Sequence, residues 1–169
     1  MEPSELAIDA ASRDDIALVV RLADTIWRAY YPAILSGAQI DYMLARGYAP
    51  AVLAKLLRDA GAGLAIARER GDAVGFAAWH RADEPATAKL DKLYVLPARH
   101  GHGVGRALIG HVEAAARRDR AVTLILNVNK RNAGAIAAYR ACGFAIREAV
   151  VIDIGGGFVM DDFVMAKAL

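Results

Sequence analysis

Residues 93 to 108 read Leu-Tyr-Val-Leu-Pro-Ala-Arg-His-Gly-His-Gly-Val-Gly-Arg-Ala-Leu, with glycine at 101, 103 and 105. An alternating apolar segment stops at Pro97, a glycine-rich turn follows, and an apolar-periodic helix starts at Val104. Glycine permits unusual backbone dihedrals and lets a ligand come close to the chain. The first amides of a helix lack intrahelical partners and point outward at the positive end of its dipole. Such a turn is suited to cradle a pyrophosphate, with Arg99 and Arg106 adding charge for phosphate groups. Other readings compete. A Walker loop requires Gly-Lys-Ser/Thr at its end, which this turn lacks. A Rossmann turn requires an early strand and a suitably placed acid about 20 residues on. This turn lies mid-chain, and Asp119 falls at a helix end. A turn that merely needs glycine for its shape remains open.

Downstream, Leu126-Asn127-Val128 is followed by Asn132, Ala135, Tyr139, Gly143 and Phe144. Together the two segments resemble the GNAT superfamily of acetyl-CoA-dependent N-acetyltransferases. That family carries Gln/Arg-x-x-Gly-x-Gly/Ala and, later, Asn-x-x-Ala-x-x-x-Tyr-x-x-x-Gly-Phe. The match spans Leu93 to Phe144, roughly the central third of the chain, and His100 stands where the family usually has Gln or Arg.

The resemblance implies an α/β (α+β) fold: one domain over residues 1–169, with a mixed, mostly antiparallel sheet of about seven strands flanked by helices. A central strand pair would splay, opening a slot for cofactor and acceptor. Acetyl-CoA would be the co-substrate. Backbone groups of Leu93, Tyr94 and Val95 would pair with its pantetheine arm, and His100, Gly101, His102, Gly103, Val104, Gly105 and Arg106 would surround its pyrophosphate. Asn132 would contact the cofactor while also capping a helix. Tyr139 would be the general acid that protonates the departing thiolate, against the alternative of a core tyrosine. The acceptor would be a primary amine of a small molecule or peptide. A non-catalytic acyl-CoA-sensing module with the same fold is the alternative function.

The general base is not fixed by the resemblance. Neutralising a lysine-like amine at pH 7 costs about 4.6 kcal/mol, an α-amine only about 1 kcal/mol, so a carboxylate or water chain would help the former. Some relatives carry Glu where this chain has Asn127, and an amide cannot act as base. Others use a Glu where this chain has Lys89. Asp91, Asp153, Asp161 and Asp162 are the candidates to act as base or to hold a cationic substrate. Trp27, Tyr30, Tyr31, Tyr42 and Tyr48 could line an acceptor pocket, since aromatic faces favour ammonium groups. For Trp27 a core position fits its helical spacing better.

Elements must position these residues. Leu6-Ala7-Ile8 reads as a strand, and Ser12 with Asp15 as a capping box opening a helix that runs to Pro32. Ser36 with Gln39 opens a second helix, and Pro50 to Arg58 forms a third. Leu64–Arg70 and Val74–His80 read as a hairpin turning at Gly71-Asp72, and Lys89 to Leu96 as a strand. A helix over Val104–Arg120, a strand over Thr123–Val128, a helix over Ala133–Ala141 ending at Gly143, and two strands joined at Gly155-Gly156-Gly157 complete the chain.

Composition narrows the function classes. With 169 residues, 56% hydrophobic and 24% charged, the chain can bury a core unaided. The net charge of +2, without long Lys/Arg runs, argues against nucleic acid and basic membrane binding. No segment suits a metal site or a membrane span, and the acidic stretch from Met1 to Asp15 lacks the core of a signal peptide. The single cysteine, Cys142, excludes an internal disulfide and fits a reducing cytoplasm, where it reads as a small buried filler. The exposed edge of the last strands leaves open a homodimer.

Overall fold

The structure is a computed structural model that describes residues 6–169; the first five residues of the acidic N-terminal stretch lie outside it. Strand β1 (Leu6–Ala10) leads to a 3-10 turn (Arg13–Asp15) and helix α1 (Ile16–Tyr30). The capping box forms as its spacing requires: the Ser12 amide donates to Asp15 at 2.8 Å, and the Ser12 hydroxyl accepts from the backbone. The Ser12 amide is the main cause holding the Asp15 carboxyl below its ordinary range. Helices α2 (Gly37–Gly47) and α3 (Pro50–Arg58) follow, α2 capped by Ser36 through the Gln39 amide at 3.2 Å. Then come β2 (Gly63–Glu69), β3 (Asp72–Arg81), β4 (Thr87–Val95), α4 (Val104–Arg118), β5 (Thr123–Asn129), α5 (Ala133–Ala141), β6 (Ala145–Gly155) and β7 (Phe158–Ala168). No helix among the described residues is long and apolar enough to cross a membrane.

The seven strands form one mixed sheet in the order β1-β2-β3-β4-β5-β7-β6, in which only β4 and β5 run parallel. Each face buries a core. Val19, Ile26 and Trp27 of α1 and Leu53 of α3 pack with Leu64, Ile66 and Phe76 on one face. Leu108 and Val112 of α4 pack with Leu90, Val95, Leu124, Leu126 and Met165 on the other. Each such side chain, fully buried, contributes about 1.5–3 kcal/mol. The amphipathic periodicity of α1 and α4 is therefore what clamps the sheet between two layers.

The functional opening comes from an interruption in this sheet. Parallel pairing runs from Thr87–Thr123 to Leu90–Leu126 and stops. Beyond it, β4 stays paired with β3 as far as Val95, and β5 stays paired with β7 as far as Asn129. The β3–β4 register slips between Ala78 and Trp79, which leaves Asp91 as an extra residue on β4. A bulge of this kind bends its strand and sharpens the local twist. It sits where β4 leaves β5, so it accounts for the expected splay.

The last hairpin is docked against α2. A Cβ at Gly156 would stand 2.7 Å from the Tyr42 ring, and Gly156 has φ +64°. The Tyr42 hydroxyl donates to the Ile154 carbonyl at 2.6 Å, and Gln39 Nε2 to the Val159 carbonyl at 2.9 Å. Glycine at this turn thus serves close packing between α2 and the strand pair β6–β7.

Candidate active site

A cleft of about 480 Å³ opens where β4 and β5 part. On the β4 side it is lined by Leu93, Tyr94 and Val95, at the α4 turn by His100, Gly101, Gly105 and Arg106, and on the α5 side by Asn132 and Tyr139. Sequence reading placed all nine at one site, and the fold brings them together. His102 lies outside the cleft lining, in a second hollow with Glu69 and Arg99. The Val104 side chain is buried in the α4 core, so only its backbone can serve a ligand. Gly103 takes φ +85° as the residue before α4.

The turn has the features of an anion cradle. Gly101 has φ +78°, and a Cβ at Gly101 or Gly103 would meet no protein atom within 4 Å. The first helical hydrogen bond runs from Ala107 to the Gly103 carbonyl, which leaves the amides of Val104, Gly105 and Arg106 free of the helix ladder. Gly105 is the informative case. Its backbone is helical, where glycine costs up to about 1 kcal/mol against alanine. Its Cβ would touch only Val95, at 4.0 Å. Protein packing thus gives no reason for this glycine, whereas room for a ligand does. Arg99 contributes less charge than expected, because its Nε donates to Glu69 at 2.7 Å.

Along β4 the Leu96 amide donates to Val74 of β3, and the Tyr94 carbonyl lies against Gly75, so alternation turns Leu93 and Val95 toward the gap. Tyr94 serves the cleft through its ring instead, which packs among Trp27, Tyr31, Tyr48 and Phe76. His100 Nε2 lies 2.9 Å from the Val95 carbonyl. A carbonyl only accepts, so Nε2 carries the proton. His100 thereby ties the turn to the end of β4 and replaces the usual Gln or Arg with a strut.

Asn132 is buried (5% exposed) and does two jobs. Its Oδ1 caps α5 by accepting from the Ala135 amide at 3.2 Å, and also accepts from the Tyr30 hydroxyl at 2.6 Å. Arg131 donates to the Ile34 carbonyl at 2.9 Å and fixes the turn after α1. Together these hold Tyr30 and Tyr31 over the cleft. Burial pushes the Tyr31 phenol up to about 12, with Tyr94 and Asn132 beside it. Burial, with Tyr31 nearby, raises the half-buried Tyr139 phenol still further. Both stay protonated at neutral pH.

Of the other aromatic candidates, Trp27 lines the cleft while belonging to the core, as its spacing suggested. Tyr42 and Tyr48 do not line it. Tyr42 is spent on the β6–β7 hairpin, and Tyr48 is a core residue stacked edge-on to Trp27 and Phe76. Cys142 is half-buried: it packs against the α4-side core and also lines the cleft.

Among the four acids, the fold separates two from two. Asp161 is paired with Lys130, Asp153 accepts from the Gly155 amide at 2.8 Å, and neither lines the cleft. Asp91 and Asp162 do. Burial acts to raise Asp91, but Lys92 at 2.7 Å, His80 and Lys89 prevail and hold it below the ordinary carboxylate range. His80, without an evident partner in the sequence, is thus a neighbour of Asp91, at 3.9 Å.

Asp162 is different. It is 1% exposed, and neither carboxylate oxygen has a hydrogen-bond partner among the described residues. Burial raises its carboxyl, while Asn127, Lys89 and Lys130 pull it down and Asp161 pushes it up. The Asn127 amide lies close enough to weigh on the charge without forming a well-shaped hydrogen bond. Unfolded, the group loses its proton near 3.8; folded, it keeps it to higher pH. The contribution of Asp162 to stability is therefore fully present below 3.8 and is lost as pH rises through the folded value. Asp162→Asn is expected to melt above the parent at pH 7 and to match it near about pH 3. A lower melting temperature than the parent at pH 7 would mean that the carboxylate has a stabilising partner.

Comparison with known proteins agrees with this geometry. Residues 20–144 match the Acetyltransferase (GNAT) family. An uncharacterized N-acetyltransferase of Mycobacterium tuberculosis is 34% identical over 116 residues, covering 69% of this chain and 73% of that protein. A streptothricin acetyltransferase of Streptomyces lavendulae is 40% identical over 75 residues, covering 44% of this chain and 40% of that protein. The crystal structure of the paia N-acetyltransferase of Thermoplasma acidophilum in complex with coenzyme A superposes with a TM-score of 0.82 at 20% identity, over 98% of this chain and 99% of that one. A splayed β4–β5 pair, a glycine turn at the head of α4 and a family match over residues 20–144 place this chain in the GNAT acetyltransferase family.

Proposed function

We propose that residues 1–169 act as one acetyl-CoA-dependent N-acetyltransferase domain in the cytoplasm, passing acetyl directly to a primary amine of a small molecule or peptide. The observation that carries this reading is the opening of the glycine cradle onto the same cleft as Tyr139, at the point where the sheet parts. The cradle fits a diphosphate, because its first helical amides are free of the helix ladder and the space at Gly105 is not filled by protein.

Acetyl-CoA supplies an activated acetyl thioester. The amides of Val104, Gly105 and Arg106 hold its diphosphate, and the gap-facing backbone of Leu93 and Val95 orients the pantetheine arm as an added strand would. Tyr139 donates its phenolic hydrogen to the leaving sulfur. The raised phenol keeps that hydrogen available at neutral pH, and passes it on only as negative charge builds on sulfur. Cys142 remains a thiol in a reducing compartment. Thiol release from acetyl-CoA should depend on an added amine and yield the acetylated amine in equal amount. Acetyl-CoA binding without release on any amine would leave a CoA-binding module and end the enzymatic reading.

A further inference from the structure

We propose that Asp162 anchors and deprotonates the acceptor's ammonium group, and that the acceptor is an amine with a single positive charge and an apolar body. The proposal rests on the acetyltransferase reading above and specifies its acceptor half. Phe163 and Met165 face the α4 core, so strand alternation turns Asp162 and Met160 to the opposite face, beside α1 and α2. The thioester, held by elements of the α4 side, and an amine on Asp162 would therefore meet through the gap between β4 and β5.

A buried carboxylate without hydrogen-bond donors is costly, and the cost is relieved when a cation arrives. No side chain among the described residues plays that part: Lys92 is engaged by Asp91 and Lys130 by Asp161, and Lys89 pulls the carboxyl down by its charge without a hydrogen bond to it. The groups around Asp162 are Asn127 and Lys130 from the β5 region, Lys89 on β4, its neighbour Asp161, and Tyr31 in the turn after α1. An ammonium is the missing partner.

The walls specify the rest of the molecule. Leu35, Met43 and Met160 are apolar, and Tyr30 and Tyr31 present aromatic faces. The other cleft acid, Asp91, is already neutralised by Lys92. A second ammonium on the same molecule would find no acid in the cleft lining other than Asp91, which Lys92 already pairs. Polyamines are therefore disfavoured and alkyl or arylalkyl monoamines favoured.

The proton balance is complete. The ammonium gives one proton to Asp162, which returns it to solvent. The free amine forms its C–N bond as the C–S bond opens, and the second nitrogen proton replaces the one that Tyr139 passes to sulfur. Hexylamine, phenethylamine and spermidine are the probes. The whole protein should show kcat/KM at least about tenfold higher for hexylamine and phenethylamine than for spermidine. Asp162→Asn should lower kcat/KM for the monoamines about a hundredfold. Its acetyl-CoA Kd should stay within about twofold, which also shows that the variant is folded. Preference for spermidine, or unchanged turnover in Asp162→Asn, would overturn the proposal while leaving acetyl transfer intact. Failure of the parent protein to bind acetyl-CoA would instead remove the reading on which it rests.

Discussion

Gly105→Asp is expected to weaken acetyl-CoA binding by about a hundredfold or more while leaving the melting temperature unchanged or slightly raised. An acid in the first turn of a helix is favourable by about 0.3–1 kcal/mol, and glycine in a helix is a weak choice, so α4 itself should gain. The protein surrounding Gly105 is open apart from Val95 at 4.0 Å, so the new side chain causes no clash. What it does occupy is the cradle. A resident carboxylate there would meet the free amides in place of the diphosphate and would repel it, and like charges brought together cost several kcal/mol. The family pattern allows Gly or Ala at this position, which agrees with a site that tolerates a methyl group but not a charge. Calorimetric titration alongside thermal melting separates these effects. Loss of stability together with binding would instead make Gly105 a structural glycine.

Tyr139→Phe carries the second large effect, in turnover rather than affinity. Positioned general acids contribute about a hundredfold or more, so kcat should fall by about that factor while the acetyl-CoA Kd stays within about twofold. The Tyr139 hydroxyl forms no hydrogen bond among the described residues, and the ring packs edge-on against Phe144 at 5.8 Å. Removing the oxygen should therefore change stability by no more than about 0.5 kcal/mol. The raised phenol also sets the sign of the pH response. Ionisation of Tyr139 should cause no loss of activity up to about pH 10, because burial moves that loss to higher pH. Unchanged kcat in Tyr139→Phe at neutral and alkaline pH would remove the acid role and leave a packing residue.

Much of this arrangement is legible in the sequence because it is local. The Ser12 and Ser36 caps and the glycine head of α4 follow from chemistry within a few residues and stand where their spacing indicates. The β2–β3 turn instead falls one residue earlier than read, at Arg70-Gly71, both with positive φ, because Asp72 already pairs with Glu69. The cluster of Leu93, His100, Gly105, Asn132 and Tyr139 follows from two motifs read together.

What periodicity does not carry is the choice of partner strand. Nothing near Asp91 signals a bulge, because the extra residue exists only relative to β3. Likewise Asp162 reads as one of two adjacent acids on a strand. Its burial depends on β7 lying between β5 and β6, with α1 and α2 over that face, while its neighbour Asp161 turns out to solvent. Tyr42 and Tyr48 show the same limit in reverse. Their side chains suit a cation pocket, but the docked hairpin claims one and the core claims the other.

The most direct measurement is calorimetric titration of the purified protein with acetyl-CoA, with ATP and NAD titrated in parallel. The cradle at His100–Gly105, opening onto the parted strands, predicts saturable binding of acetyl-CoA at one site per chain and no comparable binding of ATP or NAD. Absence of acetyl-CoA binding, or a preference for either nucleotide, would contradict the reading of that turn and the function built upon it.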